Sequence, residues 1–249
     1  MEFFSGNKLN TTSMIRVVSN TNAARYLIDG NPKVRYVTSG NAGSAASIFI
    51  SFTAATILTH ILIQRHNLDE FYIYYNNTTS NCLLFECSNS SENLFLSFAS
   101  TTVSSIQIAL GRTIGWPTVD EKRVGELLLL ERTTTLDRYP SMPNFEYGLD
   151  MKQVVQEMPD GGINVYQIRE NFFAKIKWRF IDETFKNTLK TLYEDALPFT
   201  FIPAGTTTSW DGKAYEVEWL GNFDFKAATN KEAIGWNGNM ILKQISKQR

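Results

Sequence analysis

The sequence has few of the residues and none of the segments that mark a membrane protein or a disulfide-rich one. It contains two cysteines among 249 residues, and no apolar run approaches the roughly 20 residues that a membrane-spanning helix needs. Residues 1–30 lack the basic start and the unbroken apolar stretch of a signal peptide. We therefore expect no membrane span and no export of the chain through a secretion channel.

The sequence also lacks an excess of charge of either sign. There are 24 lysines and arginines against 25 aspartates and glutamates, which gives a net charge of −1. Long-range attraction to nucleic acid or to an anionic membrane needs a clear excess of positive charge. We therefore predict no nucleic acid sequence recognition, and a partner has to be recognised by a local surface.

The few cysteines and histidines are poorly placed for metal or thiol chemistry. His60 and His66 lie six residues apart around a predicted strand, a spacing that fits no zinc-ligand pattern. Cys82 and Cys87 lie in one apolar stretch, where reduced, half-buried thiols are favoured and a local disulfide or redox role is the alternative. The sequence therefore predicts no metal site.

Motifs for catalysis are missing as well. The chain has no Gly-x-Ser-x-Gly elbow, and Asp160-Gly161-Gly162 joins two predicted strands instead of opening a helix toward a phosphate. Paired carboxylates could hydrolyse glycosides, but the neighbours in Asp69-Glu70 and Asp120-Glu121 would point to opposite faces of a strand. Asp182-Glu183 is better explained as a helix start. We predict that the protein is not an enzyme and has no catalytic, cofactor-binding or metal-binding residue.

The first half of the chain has the pattern of an antiparallel β-sandwich. It is rich in Ser, Thr and Asn, and short apolar segments follow one another at roughly the 8–12-residue spacing of sandwich strands. The predicted strands are Ser47–Phe52, Ile57–Gln64, Phe71–Tyr75, Cys82–Cys87, Leu94–Phe98, Val103–Leu110 and Glu126–Leu130. We place this domain at residues 1–132.

A second β-rich domain is predicted over residues 133–249. The stretch Thr133–Asn144, with two prolines, breaks the strand pattern and is predicted to be a linker or domain edge. Beyond it, Lys152–Met158 and Ile163–Arg169 flank a Pro-Asp-Gly-Gly sequence, which predicts a long β-hairpin. The further predicted strands are Phe199–Ile202, Lys213–Trp219, Asn222–Phe225 and Met240–Leu242.

The strand Phe172–Phe180 has the cleanest alternation in the sequence. Its even-numbered residues are apolar and predicted to pack, whereas Lys175, Lys177 and Arg179 point to the other face. This basic face is interpreted as solvated, and contact with an acidic subunit or the lining of a ring is the alternative. Among the tryptophans, Trp178 and Trp219 are predicted to lie in the core.

One amphipathic helix follows this strand. Asp182 stands at an N-cap position, and apolar residues then recur at helical spacing from Phe185 to Ala196 until Pro198 stops the helix. The helix is therefore predicted to cover one face of a sheet.

The first domain resembles the discoidin-type, galactose-binding-like β-sandwiches. The segment Ala23–Gly40, with its Asp29-Gly30 pair, is similar to the opening of that family, and Tyr36 stands where the family usually has Trp. Ile57–Tyr75 looks like the central hairpin of the family, and Gly125–Leu129 looks like its closing strand. The resemblance implies a jelly-roll sandwich with a host-surface glycan as a partner.

The second domain resembles C-terminal regions of tailed-phage structural proteins of the distal-tail or baseplate kind. The resemblance rests on the hairpin, the strand Phe172–Phe180, the helix Glu183–Ala196, and the segments Pro198–Pro203 and Thr208–Gly212. This order is similar to that of tail-tube-like folds, which form rings by edge-to-edge pairing of sheets. The resemblance implies a virion structural protein, made in the bacterial host cytoplasm, that forms a ring-type homo-oligomer and has other phage tail proteins as partners. The alternative is a carbohydrate-binding module that is not part of a virion.

Overall fold

The computed structural model describes residues 2–9, 11–30, 33–38, 46–76, 82–88, 91–114, 121–135, 145–158, 163–195, 198–203, 213–228 and 235–245. These residues are mainly in β-strands, with one α-helix and two short 3-10 helices. The predicted fold class, mainly β with a sandwich and one amphipathic helix, is confirmed. No helix within these ranges is long and apolar enough to cross a membrane.

The chain forms two compact units. Unit 1 comprises Met1–Thr133, Ile202–Ala214 and Lys247–Arg249, and unit 2 comprises Thr134–Phe201 and Tyr215–Ser246. Each unit is therefore built from more than one stretch of the chain. The predicted division into domains at residues 1–132 and 133–249 stays a prediction.

The strands up to the first unit boundary vary widely in length. They are β1 (Glu2–Phe4), β2 (Ile15–Val17), β3 (Tyr36–Val37), β4 (Ala46–Gln64), β5 (Glu70–Tyr75), β6 (Cys82–Ser88), β7 (Leu94–Leu110), β8 (Arg123–Val124), β9 (Glu126–Leu130) and β10 (Arg132–Thr135). The 3-10 helices are Thr12–Met14 and Thr21–Leu27. Because β10 continues to Thr135, the first three residues of the predicted linker or domain edge belong to a strand, and residues 136–144 lie outside the described ranges.

The main sheet of unit 1 is antiparallel, in the order β2-β4-β7-β5-β6, and β9 also pairs with β4. A small sheet of β3 and β8 lies in the same unit. Strand β7 separates β4 from β5, so the predicted central hairpin Ile57–Tyr75 is wrong: its two strands are not paired with each other. The connection after β4 has to cross β7.

One face of this sheet is the core of unit 1. Alternate residues of the central strands, such as Ile48, Phe71, Ile73 and Ile108, are fully buried there. The 3-10 helix Thr21–Leu27 and the small sheet supply further residues to the same core. Where the alternation of buried and exposed residues is clear, it fixes the register, because a one-residue slip would turn the apolar side chains to solvent. The end of β4 and β9 are buried on both faces, and Leu62, Leu128 and Leu130 belong to a second apolar cluster.

The later strands and the helix build unit 2. They are β11 (Phe145–Glu157), β12 (Ile163–Ile181), α1 (Glu183–Glu194), β13 (Phe199–Ile202), β14 (Tyr215–Leu220), β15 (Phe225–Ala227) and β16 (Trp236–Gln244). The sheet order is β13-β14-β16-β12-β11, and β15 pairs with β16. The predicted hairpin is therefore present as β11 and β12, while its turn, residues 159–162, lies outside the described ranges.

Helix α1 covers one face of the unit 2 sheet. Asp182 caps it as predicted, since its carboxylate accepts a hydrogen bond from the Phe185 amide at 2.7 Å. The Phe185 ring meets the buried Trp178 ring edge to face at 5.3 Å, and Leu189 is fully buried. The predicted position of Trp178 in the core is confirmed, and Trp219 is partly buried.

The alternation of β12 breaks at Phe180. This residue was predicted to pack, but its side chain is 56% exposed and its backbone has a positive φ of 55°. The register with β16 shifts between Trp178 and Ile181, and the Phe180 amide donates to Asn237 Oδ1 at 3.0 Å instead of to the ladder. A bulge of this kind turns one side chain out of the pleat.

Candidate functional site

The best-defined candidate for a ligand-binding site lies on the outer side of strand β5. Side chains of a strand alternate between the two faces of a sheet. Phe71 and Ile73 are fully buried in the core, and Tyr72 and Tyr74 therefore lie together on the outer face, each half-buried. Because Phe71 and Ile73 are packed in the core, the backbone that carries Tyr72 and Tyr74 is fixed in position.

The rings of Tyr72 and Tyr74 are nearly parallel. Their centroids are 6.3 Å apart and their planes differ by 19°. The hydroxyl of Tyr72 donates a hydrogen bond to Glu70 Oε1 at 2.8 Å. We call the group formed by Glu70, Tyr72, Tyr74, Gln107 and Arg112 the Tyr72 face.

An ion pair lies at the end of this face. Arg112 Nε is 2.6 Å from Glu70 Oε2, and both side chains are partly exposed. The hydrogen bond from Tyr72, together with the positive charge and hydrogen bond of Arg112, holds the pKa of the Glu70 carboxyl below its usual value. Glu70 is therefore an ionised acceptor at neutral pH.

Gly111 lets the backbone of Arg112 approach Glu70 this closely. The Gly111 amide donates to the Glu70 carbonyl oxygen at 2.9 Å. A β-carbon at Gly111 would lie 2.6 Å from that oxygen, which is closer than real β-carbons come. A glycine is the residue that fits where two backbones come this close.

Neighbouring strands extend the face across the sheet. Gln107 on β7 lies opposite Tyr74, and Phe49 on β4 lies opposite Gln107. Ala109, opposite Tyr72, adds only a methyl group beside that ring. The Tyr72 face thus combines two aromatic surfaces, an amide and an ion pair, which are groups suited to a ligand with both apolar and hydroxyl-bearing sides.

Comparisons with known proteins find a likeness in structure. No protein-family model and no curated protein matches the chain. A family 32 carbohydrate-binding module of Clostridium perfringens NanJ, solved with galactose, is similar at 18% identity over 53% of this chain and 100% of that one, with a TM-score of 0.42. A chitosan-binding module of a chitosanase/glucanase from Paenibacillus sp. IK-5 is similar at 13% identity over 51% of this chain and 99% of that one, also with a TM-score of 0.42.

A larger protein is among these structural neighbours. A GH29 fucosidase of Ruminococcus gnavus is similar at 18% identity over 47% of this chain, with a TM-score of 0.40. The match covers 25% of the length of that fucosidase. The neighbours thus include carbohydrate-binding modules, and each match covers about half of this chain. The phage-tail interpretation of the second domain stays a prediction.

His60 is a buried residue of unit 1. Its ring packs against the rings of Phe4 and Phe95, with centroids 4.9 Å and 5.1 Å away. Nε2 is 2.9 Å from Arg132 Nη2 and Nδ1 is 2.8 Å from Thr59 Oγ1. Since arginine only donates, Nε2 accepts, and the ring is the neutral tautomer with its proton on Nδ1. Burial, and then the Arg132 charge, lower the pKa of His60 to about 4.

His66 is buried by a different set of contacts. Its Nδ1 accepts a hydrogen bond from the Leu68 amide at 3.2 Å, and its ring meets the Phe71 ring edge to face at 5.6 Å. Burial lowers the pKa of His66 to about 4. Its Nε2 has no hydrogen-bond partner in the part of the chain that the structure describes.

Cysteines and a helix-start carboxylate are the other residues that the sequence brings forward. Cys82 and Cys87 belong to β6, whose side chains lie outside the description, so their redox state stays a prediction. Glu183 accepts a hydrogen bond from Trp236 Nε1 at 2.6 Å and thereby helps to hold α1 to the sheet. Within the described ranges, no group of three or more His, Cys, Asp or Glu residues could hold a metal ion.

The Tyr72 face was not singled out from the sequence. The alternation of Glu70-Phe71-Tyr72-Ile73-Tyr74 predicts that both tyrosines share one face with Glu70. Arg112 and Gln107 could not be placed beside them, because strand β7 is distant in sequence and its register depends on the order of strands. The sequence therefore predicted the shared face of three of the five residues, Glu70, Tyr72 and Tyr74.

Proposed function

We propose that the protein is a non-enzymatic carbohydrate-binding protein, with its sugar site on the Tyr72 face. The observation that carries the proposal is the parallel pair Tyr72 and Tyr74 beside the ion pair of Glu70 with Arg112. Tyrosine offers a large rigid apolar surface that ends in a polar group, and it loses little conformational entropy on binding.

Each part of the face has a role in this proposal. The C–H side of a sugar ring packs on the two tyrosine rings, while its hydroxyls donate to Glu70 and accept from Arg112 and Gln107. Hydrogen bonds to charged groups are stronger than those between neutral groups. Because the tyrosines project from a strand whose other side is core, little ordering is needed when a ligand binds.

Binding of glycans to the full chain tests the proposal. A glycan array identifies a ligand, and calorimetry with that ligand measures the affinity of the variants. Tyr74→Ala removes one ring and should weaken binding about tenfold, as expected for an aromatic anchor. Tyr72→Phe keeps the ring and loses the hydroxyl bond to Glu70, so the loss should be about two- to fivefold.

A matched control is available in the same unit. Tyr26→Ala removes a partly buried ring from the 3-10 helix Thr21–Leu27, where Tyr26 accepts a hydrogen bond from Arg25 at 3.0 Å. This variant should bind like the original chain. The proposal is wrong if the array shows no glycan bound, or if the control loses as much affinity as Tyr74→Ala.

The hairpin of β11 and β12 favours a second candidate, self-assembly. Apolar side chains near its tip are exposed, among them Val155 at 60% and Ile163 at 64%. Strand β11 is the last strand of the described sheet order, and an end strand offers its backbone groups to another chain. In this second proposal the chain is a virion structural protein of a phage tail, made in the bacterial host cytoplasm, and the hairpin contacts neighbouring subunits or other tail proteins.

Light scattering coupled to size-exclusion chromatography tests the second candidate. The original chain should form an oligomer, and a double change of Val155→Ser and Ile163→Ser should give a monomer because it removes the apolar contact. Ile57→Ser is the control, since Ile57 is also exposed, at 43%, but lies in unit 1. A monomeric original chain at high concentration rules this candidate out.

A further inference from the structure

A concave surface lies in unit 2, at the turn between β14 and β15. It is a hollow of about 410 Å³, a size within the usual range of roughly 300–1,000 Å³ for small-molecule sites. Its lining includes Leu220, Asn222, Phe223, Asp224, Asn239 and Ile241. We call it the β14–β15 hollow.

The hollow has an apolar base and a polar rim. Leu220 and Ile241 are paired across β14 and β16, and both are about 40% exposed. The ring of Phe223 belongs to an aromatic cluster, with centroids 4.6 Å from Phe225, 5.7 Å from Tyr193 and 5.7 Å from Trp219. The exposed side chains of Asn222 and Asn239 supply amide donors and acceptors.

Cations lie one strand away from this hollow. In the pairing of β12 with β16, Lys175 is opposite Ile241 and Lys177 is opposite Asn239. Both lysines are exposed, as is Arg179, and none of the three forms an ion pair within the described ranges.

The three cations form a regular row with few carboxylates beside it. Alternate residues of a strand lie about 7 Å apart, so the row extends over about 14 Å. Glu146 on β11 is opposite Lys175, and Asp224 at the rim pairs with Lys226 at 3.5 Å. One carboxylate, that of Glu146, therefore lies opposite a row of three cations, and the row keeps a net positive charge beside Ile241 and Asn239.

We propose that the β14–β15 hollow binds an anionic saccharide. The sugar ring lies on Leu220, Phe223 and Ile241, its hydroxyls bond to the amides, and its carboxylate or sulfate faces Lys175 and Lys177. This combination favours an acidic sugar over a nucleic acid, because the rim groups are amides that bind hydroxyls and the hollow contains a single aromatic side chain. The proposal rests on unit 2 alone and is independent of the Tyr72 face.

Calorimetry on the full chain with tetragalacturonate tests the proposal. Its fully methyl-esterified form has the same backbone without the charges and should bind about tenfold more weakly. Lys175→Glu with Lys177→Glu should reduce affinity for tetragalacturonate at least about tenfold, and Asn239→Ala should reduce it about fivefold. Lys190→Glu on the exposed side of α1 is the control for the change in charge and should leave the affinity within about twofold.

The outcomes separate this site from the Tyr72 face. Tyr74→Ala should leave the affinity for tetragalacturonate unchanged, so a loss in that variant places the ligand on the other unit and contradicts the proposal. Equal binding of the acid and its ester, an equal loss in Lys190→Glu, or binding of the oligonucleotide dT12 in place of tetragalacturonate also contradicts it. Circular dichroism confirms the folding of each variant.

Discussion

His60 and His66 are neutral inside unit 1, where a second proton on either ring would be unfavourable. Protonated His60 would face the Arg132 guanidinium, which already donates to its Nε2. Protonated His66 could no longer accept the hydrogen bond of the Leu68 amide at Nδ1. Both rings are therefore structural residues whose charge state is tied to folding.

We expect the stability of the protein to decline between pH 6.5 and pH 4. The pKa of both histidines is lowered to about 4 in the folded chain, so the unfolded chain, with an ordinary pKa of about 6.5, binds these protons first. These histidines leave the free energy of unfolding nearly unchanged above about pH 6.5. As the pH drops to 4, protonation of each one in the unfolded chain lowers it by roughly 3 kcal/mol.

Urea unfolding at a series of pH values measures this decline. The variant His66→Gln should be less stable than the original chain at pH 7.5, but its stability should fall only about half as steeply with pH, since one titrating group is left. An unchanged slope in this variant would show that carboxylates and not histidines cause the decline.

Tyr36 shows that the sequence gives the type of a residue but not its hydrogen-bond partner. Its ring is fully buried, and its hydroxyl donates to the Ser19 carbonyl oxygen at 2.6 Å. Burial raises the pKa of this hydroxyl to about 12. The sequence shows an aromatic residue at this position, but the carbonyl that accepts from its hydroxyl depends on the path of the chain at Ser19, which the sequence does not contain.

At the scale of the element, helix α1 depends on its cap. Asp182→Ala removes the acceptor for the Phe185 amide and should lower the free energy of unfolding by about 1 kcal/mol, the usual value for such a cap. Asp182→Asn keeps a side-chain acceptor and should lose much less. Urea unfolding of both variants at pH 7.5 gives the comparison, and equal losses would mean that the negative charge matters and not the cap.

Local patterns predicted elements better than they predicted the ends of elements. The cap at Asp182 and the strand Glu126–Leu130 follow from the sequence as written. The predicted strands Ser47–Phe52 and Ile57–Gln64 form the single strand β4. Its pairing with β7 shifts in register between Ser51 and Thr56 and then continues. The bulge at Phe180 was not predictable, since it depends on Gly235, whose β-carbon would lie 2.9 Å from the Phe180 Cα.

At the scale of the molecule, fold class followed from the sequence and topology did not. The spacing of strands predicted a β-sandwich. The order β4-β7-β5 depends on which strands pair edge to edge in the folded chain, and the spacing does not determine this. The same limit applies to the Tyr72 face, where Arg112 reaches Glu70 only because β7 lies beside β5. Sites built across strands need the strand order, which periodicity does not contain.

The pairing of β4 also determines when this strand can fold during synthesis. Its last residues, up to Gln64, pair with Leu94–Ser97 of β7 on one side and with Glu126–Leu130 of β9 on the other. At a synthesis rate of roughly 5–20 residues per second, the ribosome needs roughly 3–13 s to pass from Gln64 to Leu130. The apolar segment Ile61-Leu62-Ile63 has no native partner for the first part of that interval and lacks β9 for all of it. An apolar strand that waits this long for its partners is exposed to association with other chains.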